Sequence, residues 1–223
     1  MGVLIFLIEV FFDYFQRIKF KSKKDRKSFV IKHINRTQVT NILEIGVFNG
    51  NFGERMILAA KKNSQSIVVN YVGVDLFKEG ITQAIYQSEV SLMPLAIEDI
   101  MNKLSRIENT KIELIQGKST NTLPKLIGQK LFDVIVIDGG HSYATALSDW
   151  NNSIQLLKPG GVIFFDDYTN ERGVKLGDFG VNDVVNGIDR QQFKVSISWN
   201  VDLFWKSYGL LMLRMVKVMK NSF

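Results

Sequence analysis

The stretch FDVIVIDGGHSY, residues 132–143, contains an apolar run that ends at an acid, Asp138. The stretch GVIFFDD, residues 161–167, repeats this arrangement and ends at Asp166 and Asp167. Nearly continuous apolar runs of this length are typical of parallel strands that are buried on both faces of a sheet. We therefore predict that both stretches form central strands of an open parallel sheet.

The chain around these two strands alternates short β-branched runs with helical periodicity, which is typical of a doubly wound α/β domain. Five more strands are predicted near residues 41–46, 67–75, 111–117, 193–198 and 208–215. One predicted helix has an apolar face made of Tyr143, Leu147, Trp150, Ile154 and Leu157. No helical pattern separates the last two strands, so we expect them to pair antiparallel.

Two less regular segments, residues 78–94 and 168–182, follow strand ends. Loops at these ends border the ligand crevice of an open sheet, so both segments are candidates for covering a substrate. Four aromatic residues near the last two strands are predicted to pack the final hairpin: Trp199, Phe204, Trp205 and Tyr208.

The composition is that of one folded domain, with 46% hydrophobic and 22% charged residues in a chain of 223. The absence of cysteine excludes disulfides, thiolate metal sites and a cysteine nucleophile. The net charge of +6 is confined to residues 17–27, where seven basic residues accompany one acid. Since the remainder is close to neutral, we expect no nucleic-acid partner.

Residues 1–15 are apolar at twelve positions but fall short of the roughly 20 apolar residues that a spanning helix needs. We predict an N-terminal apolar helix and basic collar over residues 1–27, followed by a single domain over residues 28–223. Two roles of the N-terminal part remain open. It packs on the domain or on a partner subunit of a homo-oligomer, or it lies on an anionic membrane surface. A cytoplasmic location, with or without peripheral membrane contact, is expected.

The stretch ILEIGVFNGNFGERMI, from residue 42, places Glu44, Gly46 and Gly50 at a strand-to-helix turn. Glycines at such a turn let the backbone approach a ligand closely. One strand later, YVGVDLF ends at Asp75, whose carboxylate can accept two hydrogen bonds from a ribose diol. A dinucleotide site requires the pattern GxGxxG, and because Phe48 occupies the second glycine position, this reading is disfavoured.

Five segments in order then resemble the class I S-adenosylmethionine-dependent methyltransferases: LEIGVFNGNFG, VGVDLF, IELIQGKSTNTLP, FDVIVIDGGHSY and LLKPGGVIFFDDY. More narrowly, they are similar to the small metal-dependent O-methyltransferases of the catechol and macrolide-sugar type. The resemblance covers residues 41–168. It implies a Rossmann-like methyltransferase fold, with a mostly parallel seven-stranded sheet and an antiparallel last strand, and S-adenosylmethionine as the cofactor.

The resemblance assigns cofactor contacts to Glu44, Gly46, Gly50, Asp75, Gly117, Ser119 and Asp138. The turn residues would lie along the methionine part, and Asp75 would hold the ribose hydroxyls. Gly117 and Ser119 would flank the adenine. Lys118 departs from the acidic or small residue that is frequent between them.

The acids that end the two central strands form a second candidate site. Asp138, Asp166 and Asp167 are expected to converge at the crevice, where like charges are costly unless a cation, a proton or strong donors offset them. We predict that they bind a divalent ion, most simply Mg²⁺, with Mn²⁺ or Ca²⁺ as alternatives. Such an ion would stabilise the developing alkoxide of an acceptor hydroxyl and align its oxygen with the sulfonium methyl group.

His141 is the candidate base, because histidine titrates near neutral pH, and we predict it as catalytic together with Asp138. In the relatives that the resemblance brings in, the catechol type has lysine at this offset and the macrolide-sugar type has histidine. That difference favours a sugar or another aliphatic hydroxyl as the acceptor. Open alternatives are that Asp138 caps the helix near Ser142, that Asp166 and Asp167 are ordinary loop acids, and that His141 only binds a backbone carbonyl.

The predicted function is therefore methyl transfer from S-adenosylmethionine to a hydroxyl oxygen of a small molecule, assisted by a divalent metal. The alternative is a non-catalytic protein of the same fold that acts as a membrane-associated or assembly partner through residues 1–27. A nucleic-acid methyltransferase is disfavoured, because the domain is near neutral and lacks the Asn-Pro-Pro-Tyr-type loop of amino methylases.

Overall fold

The computed structural model describes residues 25–63, 68–83, 93–169, 180–206 and 209–221. Several predictions lie outside these residues: the N-terminal apolar helix, the collar up to residue 24, most of both irregular segments, Tyr208 and the side chain of Trp205. Within the described residues, no helix has both the length and the apolar character that crossing a membrane requires.

Seven strands form one sheet in the order β3-β2-β1-β4-β5-β7-β6. They are β1 (Asn41–Ile45), β2 (Val69–Asp75), β3 (Thr110–Gln116), β4 (Phe132–Ile137), β5 (Leu157–Tyr168), β6 (Phe193–Lys206) and β7 (Gly209–Lys220). The first five strands are parallel, whereas β7 runs antiparallel to both β5 and β6. The predicted α/β fold and the antiparallel final pair are confirmed.

The described helices are α1 (Ser28–Ile34), α2 (Asn51–Asn63), α3 (Phe77–Gly80), α4 (Ile97–Leu104), α5 (Ser119–Leu126), α6 (Tyr143–Leu156) and α7 (Gly180–Gly187). They cover both faces of the sheet, because alternate strand residues enter two separate cores. In β4, Ile135 packs with α5, α6 and α7, while Val134 packs with α1, α2 and α4. Burial on both faces explains why β4 and β5 are apolar at nearly every position.

The chain order of the strands reverses between β1 and β4, which lie side by side although β2 and β3 intervene in sequence. At such a point the connections after the two strands leave toward opposite faces of the sheet, and a crevice opens at the carboxyl ends. The fold therefore positions the turn after β1 and the end of β4 next to each other.

The structure corrects two predictions about packing, one of them only in part. Strand β6 continues through residues 199–206, with a register shift between Ile197 and Val201, where the sequence suggested only a connection. Trp199 is 95% exposed at this irregularity and does not pack the hairpin. On α6, Trp150 is buried and Leu147 packs against the core as predicted, whereas Tyr143 and Ile154 are exposed. The predicted face is therefore right only in part, because the buried side of α6 also includes small and polar residues such as Asp149 and Ser153.

Candidate active site

A cavity of about 630 Å³ opens at the carboxyl ends of the five parallel strands. Each strand contributes to its wall: Gly46 follows β1, Asp75 ends β2, Gly117 follows β3, Asp138 follows β4, and Asp167 lies near the end of β5. This volume lies within the range of about 300–1,000 Å³ that is usual for small-molecule sites.

Gly46 lets the turn after β1 pass directly beside the end of β4. Its φ of 89° is unfavourable for residues with a side chain, and a Cβ atom there would lie 1.9 Å from the carbonyl oxygen of Asp138. Two backbone hydrogen bonds fix this approach, from Gly46 N to Val74 O and from Asp138 N to Ile45 O, both 2.8 Å long. The glycine thus keeps the cavity floor free of side-chain atoms.

Asp75 holds the same turn from the other side. One of its oxygens, Oδ2, accepts hydrogen bonds from the backbone N–H groups of Val47 (2.6 Å) and Phe48 (2.8 Å). The other, Oδ1, accepts one from Phe77 N (3.0 Å). Since a carboxylate has about four acceptor positions, Oδ1 keeps one for a ligand. Asp75 can therefore accept one hydroxyl in this arrangement, rather than the two that the sequence suggested.

Glu44 and Gly50 lie away from the cavity wall. Glu44 is 1% exposed, and its carboxylate accepts a hydrogen bond from the Tyr71 hydroxyl behind the turn. Burial raises the pKa of Glu44 to about 8, although Tyr71 and Lys27 oppose the change. Gly50 faces the Ile100 side chain. In this structure both residues support the turn from behind, and their direct contact with a cofactor stays a prediction.

The third strand supplies the opposite wall. Gly117 N donates a 2.9 Å hydrogen bond to Asp75 O, which joins the ends of β2 and β3. Lys118, Ser119 and Thr120 follow it along the cavity. The predicted adenine-flanking residues Gly117 and Ser119 therefore lie on the same cavity as Gly46 and Asp75.

The acids after β4 and in β5 converge, as the sequence suggested, but two cations lie among them. We define the acidic cluster as the carboxylates of Asp138, Asp166, Asp167 and Asp202. Lys27 Nζ lies 2.7 Å from Asp138 Oδ2 and 3.5 Å from Asp166 Oδ2. Arg26 donates to the other three acids, with Nη2 lying 2.8 Å from Asp167 Oδ1 and Nη1 2.7 Å from Asp202 Oδ2.

The two cations affect the pKa values of the clustered acids differently. Burial alone would raise the pKa of Asp166, but Arg26 and Lys27 together lower it below its ordinary value. Burial raises the pKa of Asp138 to about 7, with Lys27 opposing and Asp166 adding to the rise. The pKa of Asp167 also rises to about 7, through burial and the neighbouring Asp166. Among the described residues, four acids thus surround two cations, and Asp138 and Asp167 are partly protonated near pH 7.

His141 lies on the cavity wall, with Nδ1 3.4 Å from Asp167 Oδ2. Its carbonyl oxygen accepts a 2.8 Å hydrogen bond from Gly180 N, which ties the turn to α7. The helix after this turn is capped by Ser142, whose Oγ accepts from Thr145 N at 3.2 Å. Asp138 is therefore not the cap of α6, and its side chain belongs to the acidic cluster.

The predicted divalent ion does not fit the residues as they stand. The Lys27 ammonium group occupies the point where the carboxylates of Asp138 and Asp166 meet, and Arg26 occupies the face shared by Asp166 and Asp167. Within the described ranges, no group of three or more His, Asp or Glu side chains is arranged to hold a metal ion. The charge compensation that the sequence required is provided by two side chains.

Sequence reasoning missed three contributors to the site. The sequence places Arg26 and Lys27 in a basic collar, and only the unbalanced charge of the acids indicates that positive groups come from elsewhere. Phe204, predicted to pack the hairpin, lines the cavity, and its ring centroid lies 5.8 Å from the Arg26 guanidinium carbon. No local pattern could have revealed these contacts, because 140 residues separate Arg26 from Asp166.

Comparison with known proteins agrees with this architecture. Residues 43–168 match the model of the family Methyltransf_24, described as a methyltransferase domain. A search of curated proteins finds no significant match.

Solved structures share the fold at low sequence identity. An O-methyltransferase from Bacillus cereus in complex with S-adenosylhomocysteine is 15% identical, with a TM-score of 0.59 over 87% of this chain and 80% of that chain. The O-methyltransferase TomG from Streptomyces achromogenes, involved in tomaymycin synthesis and bound to S-adenosylmethionine, is 14% identical, with a TM-score of 0.56 over 88% and 79% of the respective chains. An rRNA methylase from Streptococcus thermophilus is 12% identical, with a TM-score of 0.58 over 89% and 98%. At these identities the similarity establishes the fold.

Proposed function

Because this chain belongs to the methyltransferase-domain family whose model spans more than half of it, we propose that it transfers a methyl group from S-adenosylmethionine to a hydroxyl oxygen of a small molecule. One observation carries the proposal: a single cavity joins the backbone turn at Gly46, the free acceptor position of Asp75 and the imidazole of His141. A cofactor wall and a proton acceptor thus face the same space.

Cofactor binding is assigned to the first three strands. The free acceptor position on Asp75 Oδ1 would receive a ribose hydroxyl, and residues 117–119 would flank the adenine. The bare backbone at Gly46 would lie under the methionine part. The described acids of the cluster outnumber its two cations, so the ionised fraction of Asp138 and Asp167 would favour a donor that carries a positive sulfonium over its neutral product.

The chemical step is an in-line displacement at the methyl carbon. The acceptor oxygen forms the new O–C bond while the C–S bond breaks, and the electron pair of that bond remains on sulfur, which becomes a neutral thioether. The hydroxyl proton passes to His141. Because Nδ1 lies 3.4 Å from Asp167 Oδ2, Asp167 would favour the tautomer that carries a hydrogen on Nδ1, in which Nε2 is the nitrogen that takes this proton.

Asp138 is assigned to orienting the acceptor, because it borders the cavity between the Gly46 turn and His141. No step is assigned to Mg²⁺, since Arg26 and Lys27 already occupy the carboxylates that would bind it. Phe204, Leu211 and Leu213 add an apolar wall near these charges. A sugar or another aliphatic alcohol, with both hydroxyl groups and apolar C–H surface, suits such a wall.

The proposal is tested by isothermal titration of the full chain with S-adenosylhomocysteine and S-adenosylmethionine. We expect one site per chain, and Asp75→Ala should weaken binding by at least about tenfold, because a hydrogen bond to a charged group contributes about 1.5–3 kcal/mol. Exposed Asp99, on α4, gives a matched control, and Asp99→Ala should bind like the wild type. Absence of binding by both cofactor forms would contradict the proposal. A panel of sugars, aliphatic alcohols and phenols with labelled S-adenosylmethionine would then identify the acceptor class.

A further inference from the structure

The acidic cluster is compensated from within the chain by two consecutive residues. Arg26 and Lys27 lie just before α1, yet their side chains reach the ends of β4 and β5. Arg26 is 9% exposed and bonded to three carboxylates, so its role there is to neutralise buried charge. Both side chains line the cavity, but Lys27 contacts only two of the carboxylates.

The ammonium group of Lys27 is held where the reacting oxygen would approach. It lies 2.7 Å from Asp138 Oδ2 and 4.6 Å from the ring centroid of Phe52 on α2. An ammonium group has three N–H donors, of which one bonds Asp138 Oδ2, while Asp166 Oδ2 at 3.5 Å is an ion-pair contact. Donor capacity therefore remains for an oxygen in the cavity that Lys27 lines. Asp138 and Asp166 also raise the pKa of Lys27 above its ordinary value despite burial, so the group stays positively charged at neutral pH.

The segment that carries these cations is anchored at its start by Asp25. Both of its carboxylate oxygens accept hydrogen bonds from Arg55, at 2.8 and 3.0 Å, and Oδ1 also accepts from Ser28 N at 2.9 Å. The backbone N of Arg26 donates to Asp202 Oδ1 at 3.2 Å. Backbone and side-chain contacts on both sides therefore fix Lys27, as a positioned site residue requires.

On these grounds we propose that Lys27, supported by Arg26, takes the place of a divalent metal ion at the acidic cluster and donates a hydrogen bond to the acceptor oxygen during methyl transfer. The proposal rests on the proposed function. Its physical basis is that a fixed positive charge stabilises the negative charge that develops on the oxygen. Because an ammonium group carries one charge and forms no coordinate bond, it activates the oxygen less than a metal does, and the proton acceptor at His141 remains necessary.

The decisive experiment is titration of the full chain with Mn²⁺, followed by electron paramagnetic resonance of the free ion. The wild type is expected to bind no Mn²⁺ at the cluster more tightly than about 1 mM. Lys27→Met removes the charge and keeps the stem, and it should admit one Mn²⁺ that is lost again when Asp138→Asn is added. Lys27→Arg keeps the charge and should exclude the ion as the wild type does.

Lys32→Met on the exposed face of α1 serves as the matched control and should leave Mn²⁺ binding unchanged. Binding of one Mn²⁺ by the wild type, abolished by Asp138→Asn, would overturn the proposal. A folded Lys27→Met variant that still excludes the ion would also overturn it. That result would mean that Lys27 is not what prevents the carboxylates from binding a metal ion. If Lys27→Met does not fold, the wild-type titration alone decides.

Failure of this inference is distinguishable from failure of the proposed function. Titration with S-adenosylhomocysteine reports on the cofactor wall at Gly46 and Asp75, whereas Mn²⁺ reports on the acidic cluster. Once an acceptor is known, methyl transfer by the wild type should be unaffected by a metal chelator. Under the same conditions Lys27→Met should lower kcat with little change in cofactor affinity, and Lys27→Arg should restore part of the rate.

Discussion

Gly46 and Asp138 approach each other so closely that a Cβ atom on the glycine would lie 1.9 Å from the carbonyl oxygen of the aspartate. The contact joins the turn after β1 to the end of β4, the two strands at which the chain order of the sheet reverses. It is backbone against backbone, so no side-chain rotation can relieve a clash there. The cavity floor therefore depends on a missing side chain.

Gly46→Ala is expected to destabilise the fold by more than about 3 kcal/mol, because the clash adds to the strain of a positive φ. Gly128→Ala is the matched control, since Gly128 also has a positive φ, 78°, but no atom within 4 Å of the added Cβ. That control should lose only about 1–2 kcal/mol. Urea denaturation of both variants measures the difference, and equal losses would mean that strain alone, not the approach to Asp138, determines the glycine.

Gly53→Ala in α2 is expected to be destabilising by about 1–3 kcal/mol, although the same change in an open helix gains about 1 kcal/mol. The added Cβ would lie 2.6 Å from the Tyr71 hydroxyl oxygen and 2.8 Å from Glu44 Oε2. Both atoms belong to a buried hydrogen-bonded pair that has no room to move. Gly187→Ala at the end of α7, where no atom lies within 4 Å, should instead leave stability unchanged or raise it by up to about 1 kcal/mol. A rise in melting temperature for Gly53→Ala would refute this account.

Asp149, on the buried face of α6, should make the stability of the fold depend on pH. Burial raises its pKa to about 7, and the nearby Ser119 hydroxyl offsets only part of the rise. Between the ordinary aspartate pKa of 3.8 and about 7, the folded protein holds a proton that the unfolded chain has released. Stability from this group is therefore greatest below pH 4 and declines as pH rises to 7.

Asp149→Asn removes that titration, so the variant should lose less stability than the wild type between pH 5 and pH 8. Guanidinium denaturation at the two pH values measures the comparison, with Asp183→Asn on the exposed part of α7 as the control. Other buried acids contribute equally to both proteins and cancel. Parallel pH curves for Asp149→Asn and the wild type would show that the carboxyl is ionised in the folded state.

His141→Gln should lower methyl transfer by about 10²–10⁴-fold while leaving the affinity for S-adenosylhomocysteine within about twofold, because a base acts in the step and not in cofactor binding. The only other histidine supplies the control. His33 packs against Phe164, with ring centroids 5.6 Å apart, and does not line the cavity. His33→Gln should keep its rate. Equal loss of rate and of cofactor affinity in His141→Gln would instead indicate a role in maintaining the wall.

The sequence alone determined the elements of the sheet and the edge at which the site lies. Long apolar runs specify β4 and β5 because both faces of these strands are buried, and the local pattern records that burial directly. The glycine after β1, the acid ending β2 and the acids after β4 and in β5 were predictable for the same reason. Each stands next to a strand end, and parallel strands bring their carboxyl ends to one edge.

Only the tertiary structure decided what compensates those acids. The sequence showed that Asp138, Asp166 and Asp167 need positive charge, and a divalent ion was the simplest source. In the structure the positive charge comes from Lys27 and Arg26, which lie more than 100 residues away in sequence. Whether a distant cation reaches a buried carboxylate depends on the path of the folded chain, and no periodicity or spacing encodes that path. Secondary structure depends on residues that are close in sequence, whereas the charge balance of a buried site depends on residues that only the folded chain brings together.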